Sequence, residues 1–298
     1  MDPSDEVLHD FRPFIQQFKS GRVVRFNAAA TVPAGNDPAG TGVSSKDVVI
    51  NGSSGLWARL YLPAAASNKK LPVVVYYHGG AFVVGSAAHR ATHLYLNGLA
   101  ADANVLIVSP EYRLAPEHPL PAAHDDAWEA LQWVASEADL SRLFLAGVSA
   151  GGNIAHHMAA RAGARFPIIR GLLLVHPYFN CEAAASARGP SAKAKHEAFW
   201  RFVCPATPGL DDPLCNPFSD GRSAARVAAR RVLVCVAEKD ALRDRGVWYY
   251  HSLRGSGYTG EVELLESMGE DHVFHYSKPE GEQARTLNAR VLSFLRDE

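Results

Sequence analysis

Apolar residues in this chain gather into short runs set among longer mixed segments. Pro72–Tyr77, Leu143–Ala146, Ile168–Val175 and Val232–Ala237 are near-continuous apolar runs. Strands buried on both faces of a sheet have this pattern. Val105–Ser109 and Val262–Leu265 are shorter runs of the same kind. Between them, Ala88–Ala101, Asp125–Ser136, Asn153–Arg161, Ala241–Arg254 and Gln283–Arg296 predict helices. Val43–Ile50 and Leu56–Leu62 predict a strand pair around the turn Asn51-Gly52-Ser53-Ser54-Gly55. Alternating strands and helices imply an α/β fold: a mostly parallel central sheet, helices on both faces and right-handed crossovers.

Two regions depart from that rhythm. Phe11, Phe14, Ile15 and Phe18 recur at helical spacing, so Leu8–Lys19 predicts an amphipathic helix, and Asn27–Gly42 a loop. Tyr178–Arg230 has no strand pattern but carries Phe199, Trp200, Phe202 and several prolines. It is expected as an insertion over the carboxyl edge of the sheet, where α/β proteins bind ligands.

Composition narrows the function classes. At 298 residues, 47% apolar and 20% charged, the chain can bury a full core without metal or disulfide staples. Its 30 basic and 31 acidic residues argue against nucleic acid as a partner. The densest basic stretch, Arg222, Arg226, Arg230, Arg231, Lys239, Arg243 and Arg245, is diluted by Glu238, Asp240 and Asp244 and predicts a solvated helix face. No apolar run approaches the roughly 18 residues of a membrane span, so no membrane partner is expected. Met1–Asp10 is polar and acidic, unlike a signal peptide. Cys181, Cys204, Cys215 and Cys235 show neither C-x-x-C spacing nor disulfide density, and Cys235 falls in an apolar strand as a small buried hydrophobe. A reducing, cytoplasmic setting is the expectation.

The strongest chemical signal is Gly147-Val148-Ser149-Ala150-Gly151-Gly152, between an apolar strand and a helix. This is G-x-S-x-G in its proper context: a sharp strand-to-helix turn that presents the serine hydroxyl. The alternative is a glycine-rich turn serving packing or phosphate binding. His78-Gly79-Gly80-Ala81 follows the buried strand Pro72–Tyr77 and resembles an H-G-G-G oxyanion loop. Gly79, Gly80 and Ala150 would supply its N–H donors. A serine nucleophile needs a base. Asp240 lies just past a strand end, and His272 in Gly269-Glu270-Asp271-His272-Val273-Phe274 follows the last strand. Asp244 falls within the next helix, where a salt bridge with Arg243 or Arg245 is its expected role. His275, between Phe274 and Tyr276, is expected to pack.

The other histidines do not make a metal site. His89 and His93 have i, i+4 spacing, but Arg90 stands where a metalloprotease carries its glutamate. His156 and His157 are adjacent and face different sides of a helix. No G-x-G-x-x-G opens the first βα unit, so neither metal nor cofactor is expected.

Taken in order, His78–Phe82, Tyr112-Arg113-Leu114-Ala115-Pro116-Glu117, Gly147–Gly152, Asp211-Asp212-Pro213 with Asn216-Pro217, and Gly269–Phe274 resemble the plant carboxylesterases of the hormone-sensitive-lipase-like branch of the α/β-hydrolase fold. The resemblance runs from about Val7 to Leu295. It implies one α/β-hydrolase domain over residues 1–298, with cap elements at approximately 1–40 and 178–215. It implies nucleophile Ser149, acid Asp240, base His272 and oxyanion donors Gly79, Gly80 and Ala150. The implied activity is hydrolysis of small, largely apolar carboxylic esters. Phe14, Phe18, Phe199 and Trp200 would line the pocket, with Tyr178 and Asn180 on the acyl side. Ala81 replaces the third loop glycine but keeps its backbone N–H. Hormone receptors of this family have lost the histidine, and its isoflavonoid dehydratases carry threonine at the nucleophile. His272 and Ser149 favour a hydrolase over either. No feature of the sequence sets an oligomeric state.

Overall fold

The computed structural model describes residues 6–26, 30–37, 40–64, 70–163, 166, 169–187, 189–221 and 226–296. Residues 27–29, 38 and 39 of the expected loop, Ile168 and Arg222 lie outside them.

Each apolar run forms a strand with both faces covered. In chain order the central elements are β5 (Val43–Asn51), β6 (Leu56–Pro63), β7 (Val73–Tyr77), α1 (Arg90–Ala103), β8 (Leu106–Glu111), α2 (Ala122–Glu137), β9 (Leu143–Val148), α3 (Ala150–Ala162), β10 (Ile169–Val175), β11 (Ala229–Ala237), α6 (Arg243–Gly255), β12 (Glu261–Ser267), α7 (Phe274–Ser277) and α8 (Glu282–Arg296). The three short strands β1 (Val7–Phe11), β2 (Ile15–Phe18) and β3 (Val23–Arg25) form a separate antiparallel sheet. A two-residue strand, β4 (Asn36–Asp37), closes one edge of the main sheet. Helices α4 (Glu182–Ala187) and α5 (Pro190–Val203) occupy the strandless region between β10 and β11.

Among the described residues the main sheet has nine strands in the order β12-β11-β10-β9-β7-β8-β6-β5-β4. From β12 to β8 neighbouring strands are parallel, and β6 joins β8 antiparallel. Successive side chains on a strand point to opposite faces, and the core divides accordingly. Val73, Val75, Leu145, Leu172, Leu174, Val232 and Val234 pack toward α2, α3 and α6. Val74, Tyr76, Phe144, Leu173, Leu233 and Cys235 pack toward α1 and α8. The connection from β7 leads to β8 on one side, and that from β9 leads to β10 on the other. The carboxyl ends of β7 and β9 therefore flank a topological switch point, where α/β folds open a ligand crevice.

The N-terminal helix expected over Leu8–Lys19 is instead the β1–β2 hairpin. Pro13, in the middle of that run, has no N–H and would clash within a helix, and the chain turns there, with Phe14 N–H donating to Phe11 O at 3.0 Å. Strand alternation half-buries His9 and Phe11 on one side. Phe11 then meets the edge of Phe199 at 5.2 Å and packs on Phe202 at 4.9 Å, seating the hairpin on α5.

Among the described residues the expected solvated basic helix face does not form. Arg230 and Arg231 lie on β11, where the Arg231 guanidinium stacks over Phe294 at 4.7 Å. Arg245 is buried and hydrogen-bonded to His196 on α5. Arg243 pairs with Glu266 and with Asp244, and the Asp244 pair is one of the two expected for it. The described part of the charge run crosses from β11 into α6, so those members share no face.

Candidate active site

Ser149 sits between β9 and α3 with φ 56° and ψ −120°. A non-glycine residue in this region is strained, and such strain persists only where the surroundings over-determine it. The surroundings here are close-packed backbone. A Cβ on Gly147 would collide with the backbone of Gly151, and one on Gly151 with the carbonyls of Tyr77 and His78. Only glycine lets the turn close this tightly against the end of β7. The Ser149 N–H donates to Val175 O at 2.9 Å, and Ser149 O accepts from Tyr178 N–H at 2.9 Å. The elbow is thus tied through its N–H to the end of β10 and through its carbonyl to Tyr178 in the loop that follows.

The loop after β7 runs against that elbow. The Cβ position of Gly79 is 3.0 Å from Val148 O and 3.3 Å from Ser149 Cβ. His78 is buried, and its Nδ1–H donates to Gly79 O at 2.7 Å. Burial pushes its pKa down to about 4, so the ring is neutral. Because C=O and N–H of one trans peptide point in opposite directions, anchoring Gly79 O turns the Gly80 N–H the other way. Among the described residues no backbone carbonyl accepts from the N–H groups of Gly79, Gly80 or Ala150. Ala150 opens α3, where the first N–H groups of a helix lack internal partners and favour negative charge.

The Tyr112–Glu117 motif supports this loop from behind. Tyr112 hydroxyl donates to His78 O at 2.7 Å, and Ala115 N–H donates to Phe82 O at 2.9 Å. Arg113 grips the buried Asp126 through its guanidinium at 2.7–3.1 Å and its backbone N–H at 2.8 Å. Arg25 on β3 donates to Val83 O at 2.6 Å and Ala115 O at 3.1 Å, and pairs with Glu117. None of these contacts has a local sequence signature.

Asp240 and His272 come from the loops after β11 and β12, and they meet. His272 Nδ1 donates to Asp240 Oδ2 at 2.7 Å, and Leu242 N–H donates to Asp240 Oδ1 at 2.8 Å. Burial alone would raise the Asp240 carboxyl. The hydrogen bond and charge of His272, with the Leu242 N–H, outweigh it and leave the pKa below its ordinary value. Asp240 is almost fully buried, whereas the His272 side chain is 34% exposed. An ionised carboxylate only accepts, so Nδ1 carries the proton and Nε2 keeps a free lone pair.

The aromatic residues expected around the pocket separate into two groups. Tyr178 and Trp200 are buried, stack at 6.2 Å, and both meet Phe82, at 5.8 Å and 6.2 Å. Asn180 is also buried, its N–H bonded to Cys215 O at 3.1 Å. Phe199 is partly buried and faces Phe11. Phe14 lies at the hairpin turn, 37% exposed, and Phe18 stacks under the Arg22 guanidinium at 3.7 Å. Neither ring joins the Phe82–Tyr178–Trp200 group. Phe11, Phe82 and Phe202, which the sequence had not singled out for the pocket, make the aromatic contacts that join the hairpin and the loop after β7 to α5.

Three further histidines are held by the packing around them. His93 accepts from Asn97 Nδ2 at 2.8 Å, His156 bonds Tyr249 hydroxyl at 2.8 Å, and His275 is buried beside Tyr95. The four cysteines are buried thiols, with that of Cys235 pushed up to about 12 by burial. Among the described residues no helix is long and apolar enough to cross a membrane.

Comparison with known proteins matches residues 74–276 to the α/β-hydrolase fold family. The chain is 42% identical to tuliposide A-converting enzyme 1, chloroplastic, of Tulipa gesneriana, over 99% of this chain and 79% of the relative. It is 41% identical to 2-hydroxyisoflavanone dehydratase of Glycyrrhiza echinata (98% of this chain, 97% of the relative) and to probable carboxylesterase 2 of Arabidopsis thaliana (97% and 96%). Among solved structures, an esterase of Pyrobaculum calidifontis superposes with a TM-score of 0.71 at 32% identity, covering 85% of this chain and 84% of that one.

These names correct one expectation. Several tulip relatives are called chloroplastic or amyloplastic, which points to a plastid and away from the cytoplasm. Unpaired cysteines fit any reducing compartment, a plastid as well as the cytoplasm.

Proposed function

The chain belongs to the α/β-hydrolase fold family, and from that premise we propose that it is a serine carboxylesterase acting on small, largely apolar carboxylic esters. Esterase and carboxylesterase relatives support the general activity. The observations that carry the finer reading are the Asp240–His272 hydrogen bond of 2.7 Å and the strained Ser149 elbow at the carboxyl edge of the same sheet.

His272 Nε2, its tautomer fixed by Asp240, takes the Ser149 hydroxyl proton as Oγ attacks the ester carbonyl. The carbonyl π electrons move onto oxygen, and the N–H groups of Gly79, Gly80 and Ala150 hold that oxyanion. Each such donor contributes about 3 kcal/mol to the transition state. Collapse breaks the C–O bond to the alcohol, which leaves with the proton from His272. Water then repeats the sequence on the acyl-enzyme and frees the acid. The charges balance without metal or cofactor. The Phe82–Tyr178–Trp200 group beside the oxyanion loop favours an apolar acyl or aromatic substrate. The hairpin and the 178–215 segment would cap a single catalytic domain.

The experiment is hydrolysis of p-nitrophenyl acetate and butyrate by wild type and Ser149→Ala, with a fluorophosphonate probe for the nucleophile. Wild type should turn over both esters and be labelled at Ser149. Equal rates in the two proteins, or labelling elsewhere, would reject the reading. The 41% identical dehydratase supports a second reading, elimination of water on the same frame. Elimination needs a base but no acyl-enzyme, so an acyl adduct trapped on Ser149 separates the two.

A further inference from the structure

We propose that His176 is a positioning residue for the base: it latches the loop that carries His272 by accepting the Val273 N–H. This rests on the Ser149–His272–Asp240 reading above. His176 follows β10 directly and has no part in the proton path just described.

The latch is visible in three bonds. Val273 N–H donates to His176 Nδ1 at 3.0 Å. His176 N–H donates to Cys235 O at 2.8 Å on β11, the strand that leads to Asp240. The preceding carbonyl, Val175 O, accepts from Ser149 N–H at 2.9 Å. Residues 175 and 176 therefore touch the nucleophile's elbow, the acid's strand and the base's loop.

Backbone strain marks both partners of the latch. His176 has φ 48° and Val273 has φ 53°. For a β-branched residue the left-handed region is a true outlier, and it persists only where the surroundings hold it. Val273 directly follows His272, so the conformation held by the latch sets where the imidazole points. The His176 and His272 rings lie 5.6 Å apart. One ring nitrogen of each and a carboxylate oxygen of Asp240 all lie within 4.8 Å of one another.

An acceptor nitrogen carries no proton, so the latch works only with a neutral ring bearing its hydrogen on Nε2. The titratable groups facing His176 are His272 and His275 from the base's loop and α7, and Asp240 from the loop after β11. Burial, with the two neighbouring imidazoles, pushes the His176 pKa down to about 3. The latch thus stays neutral while His272 gains and loses its proton.

The test compares His176→Asn with His176→Phe. Asparagine keeps an acceptor near the Nδ1 position, whereas phenylalanine keeps ring and bulk without one. His176→Phe should lower kcat on p-nitrophenyl acetate by about tenfold or more, since small misplacements of a catalytic group cost that much. KM should change by less than about twofold, and the acid limb of kcat/KM should move as the His272–Asp240 pair loosens. His176→Asn should recover most of the lost kcat. Adding Val273→Gly to His176→Phe should restore part of it, because glycine adopts φ above zero without help. A wild-type rate and pH limb in His176→Phe would overturn the proposal, as would equal impairment of the two variants. Should His176→Phe not fold, by circular dichroism, a folded but inactive His176→Asn would overturn it alone. Ser149→Ala and Asp240→Asn run beside them. Full activity in those two rejects the triad, and with it this role. Their inactivity beside an unimpaired His176→Phe rejects the latch only.

Discussion

Tyr112 lies flat on His78, ring centroids 4.1 Å apart and 11° from parallel, while its hydroxyl donates to the His78 carbonyl at 2.7 Å. His78 passes that support on through its Nδ1–H to Gly79 O. A tyrosine 34 residues downstream thus stands behind the peptide proposed to bind the oxyanion. Tyr112→Phe keeps the stack and removes the donor. Loss of one buried hydrogen bond should cost about 1 kcal/mol of stability. The kcat for p-nitrophenyl butyrate should fall several-fold with little change in KM. Paired melting and kinetic measurements check this; a wild-type kcat would mean that the stack alone holds His78.

Arg25 is the hinge pin between the N-terminal hairpin and the oxyanion loop. Its ion pair with Glu117 is half exposed and contributes only about 0–1 kcal/mol. Its bonds to Val83 O and Ala115 O do more, because they satisfy carbonyls that the hairpin covers. Arg25→Ala should release the hairpin before it unfolds the sheet. Hydrogen exchange should rise in residues 7–25 and in the 80–84 loop, while β9 and β10 stay protected. Unchanged exchange in the hairpin would show that Phe11 on α5 is sufficient to dock it.

The central sheet was legible because its strands are buried on both faces. The buried stretches of β7, β9, β10 and β11 are almost wholly apolar, so their runs stand out, and the order Ser149, Asp240, His272 follows from where β9, β11 and β12 end. The hairpin was not legible because Phe11, Phe14, Ile15 and Phe18 satisfy a helical period as well as they satisfy a turn at Pro13. Helix spacing groups all four on one face, while strand pairing sends Phe11 to α5, leaves Phe14 at the turn and buries Ile15 in the core. The supports of the site were invisible for another reason. Arg25–Val83, His78–Tyr112 and His176–Val273 join residues 58, 34 and 97 positions apart. No local pattern encodes a contact that exists only once the sheet has formed.

Gly79 offers a test of how tightly the oxyanion loop must fit. A Cβ there would lie 3.0 Å from Val148 O and 3.3 Å from Ser149 Cβ, so loop or elbow must give by a few tenths of an ångström. Gly79→Ala should reduce kcat and the rate of fluorophosphonate labelling by about 10- to 100-fold while the melting temperature barely moves. Gly98→Ala on α1 is the control, with open space around it and a gain of about 0.5–1 kcal/mol in helix stability expected. If both variants label Ser149 at the wild-type rate, the loop does not need its present distance from the elbow.

Acid stability should be set by buried imidazoles and not by carboxylates. Burial pushes His78 and His124 down to about 4, and His156, His176 and His275 down to about 3. Burial and the neighbouring imidazoles of His156 and His124 also hold His157 well below the ordinary value. In the unfolded chain each titrates near 6.5. Above that pH both states are neutral and the fold keeps its full stability. Below it, the unfolded chain binds protons that the folded chain refuses. Each group then lowers stability by about 1.4 kcal/mol per pH unit until its folded pKa is reached. Asp240 adds its own loss only near and below its unfolded value of about 3.9. Six such histidines would erase a typical stability of about 5–15 kcal/mol within one to two pH units. Unfolding should therefore set in above pH 4.5, while most carboxylates are still charged. Urea titrations followed by circular dichroism between pH 5 and 7 give the slope. Uptake of about five protons on unfolding is expected near pH 5.5, and uptake of only one would mean that these imidazoles reach solvent within the fold.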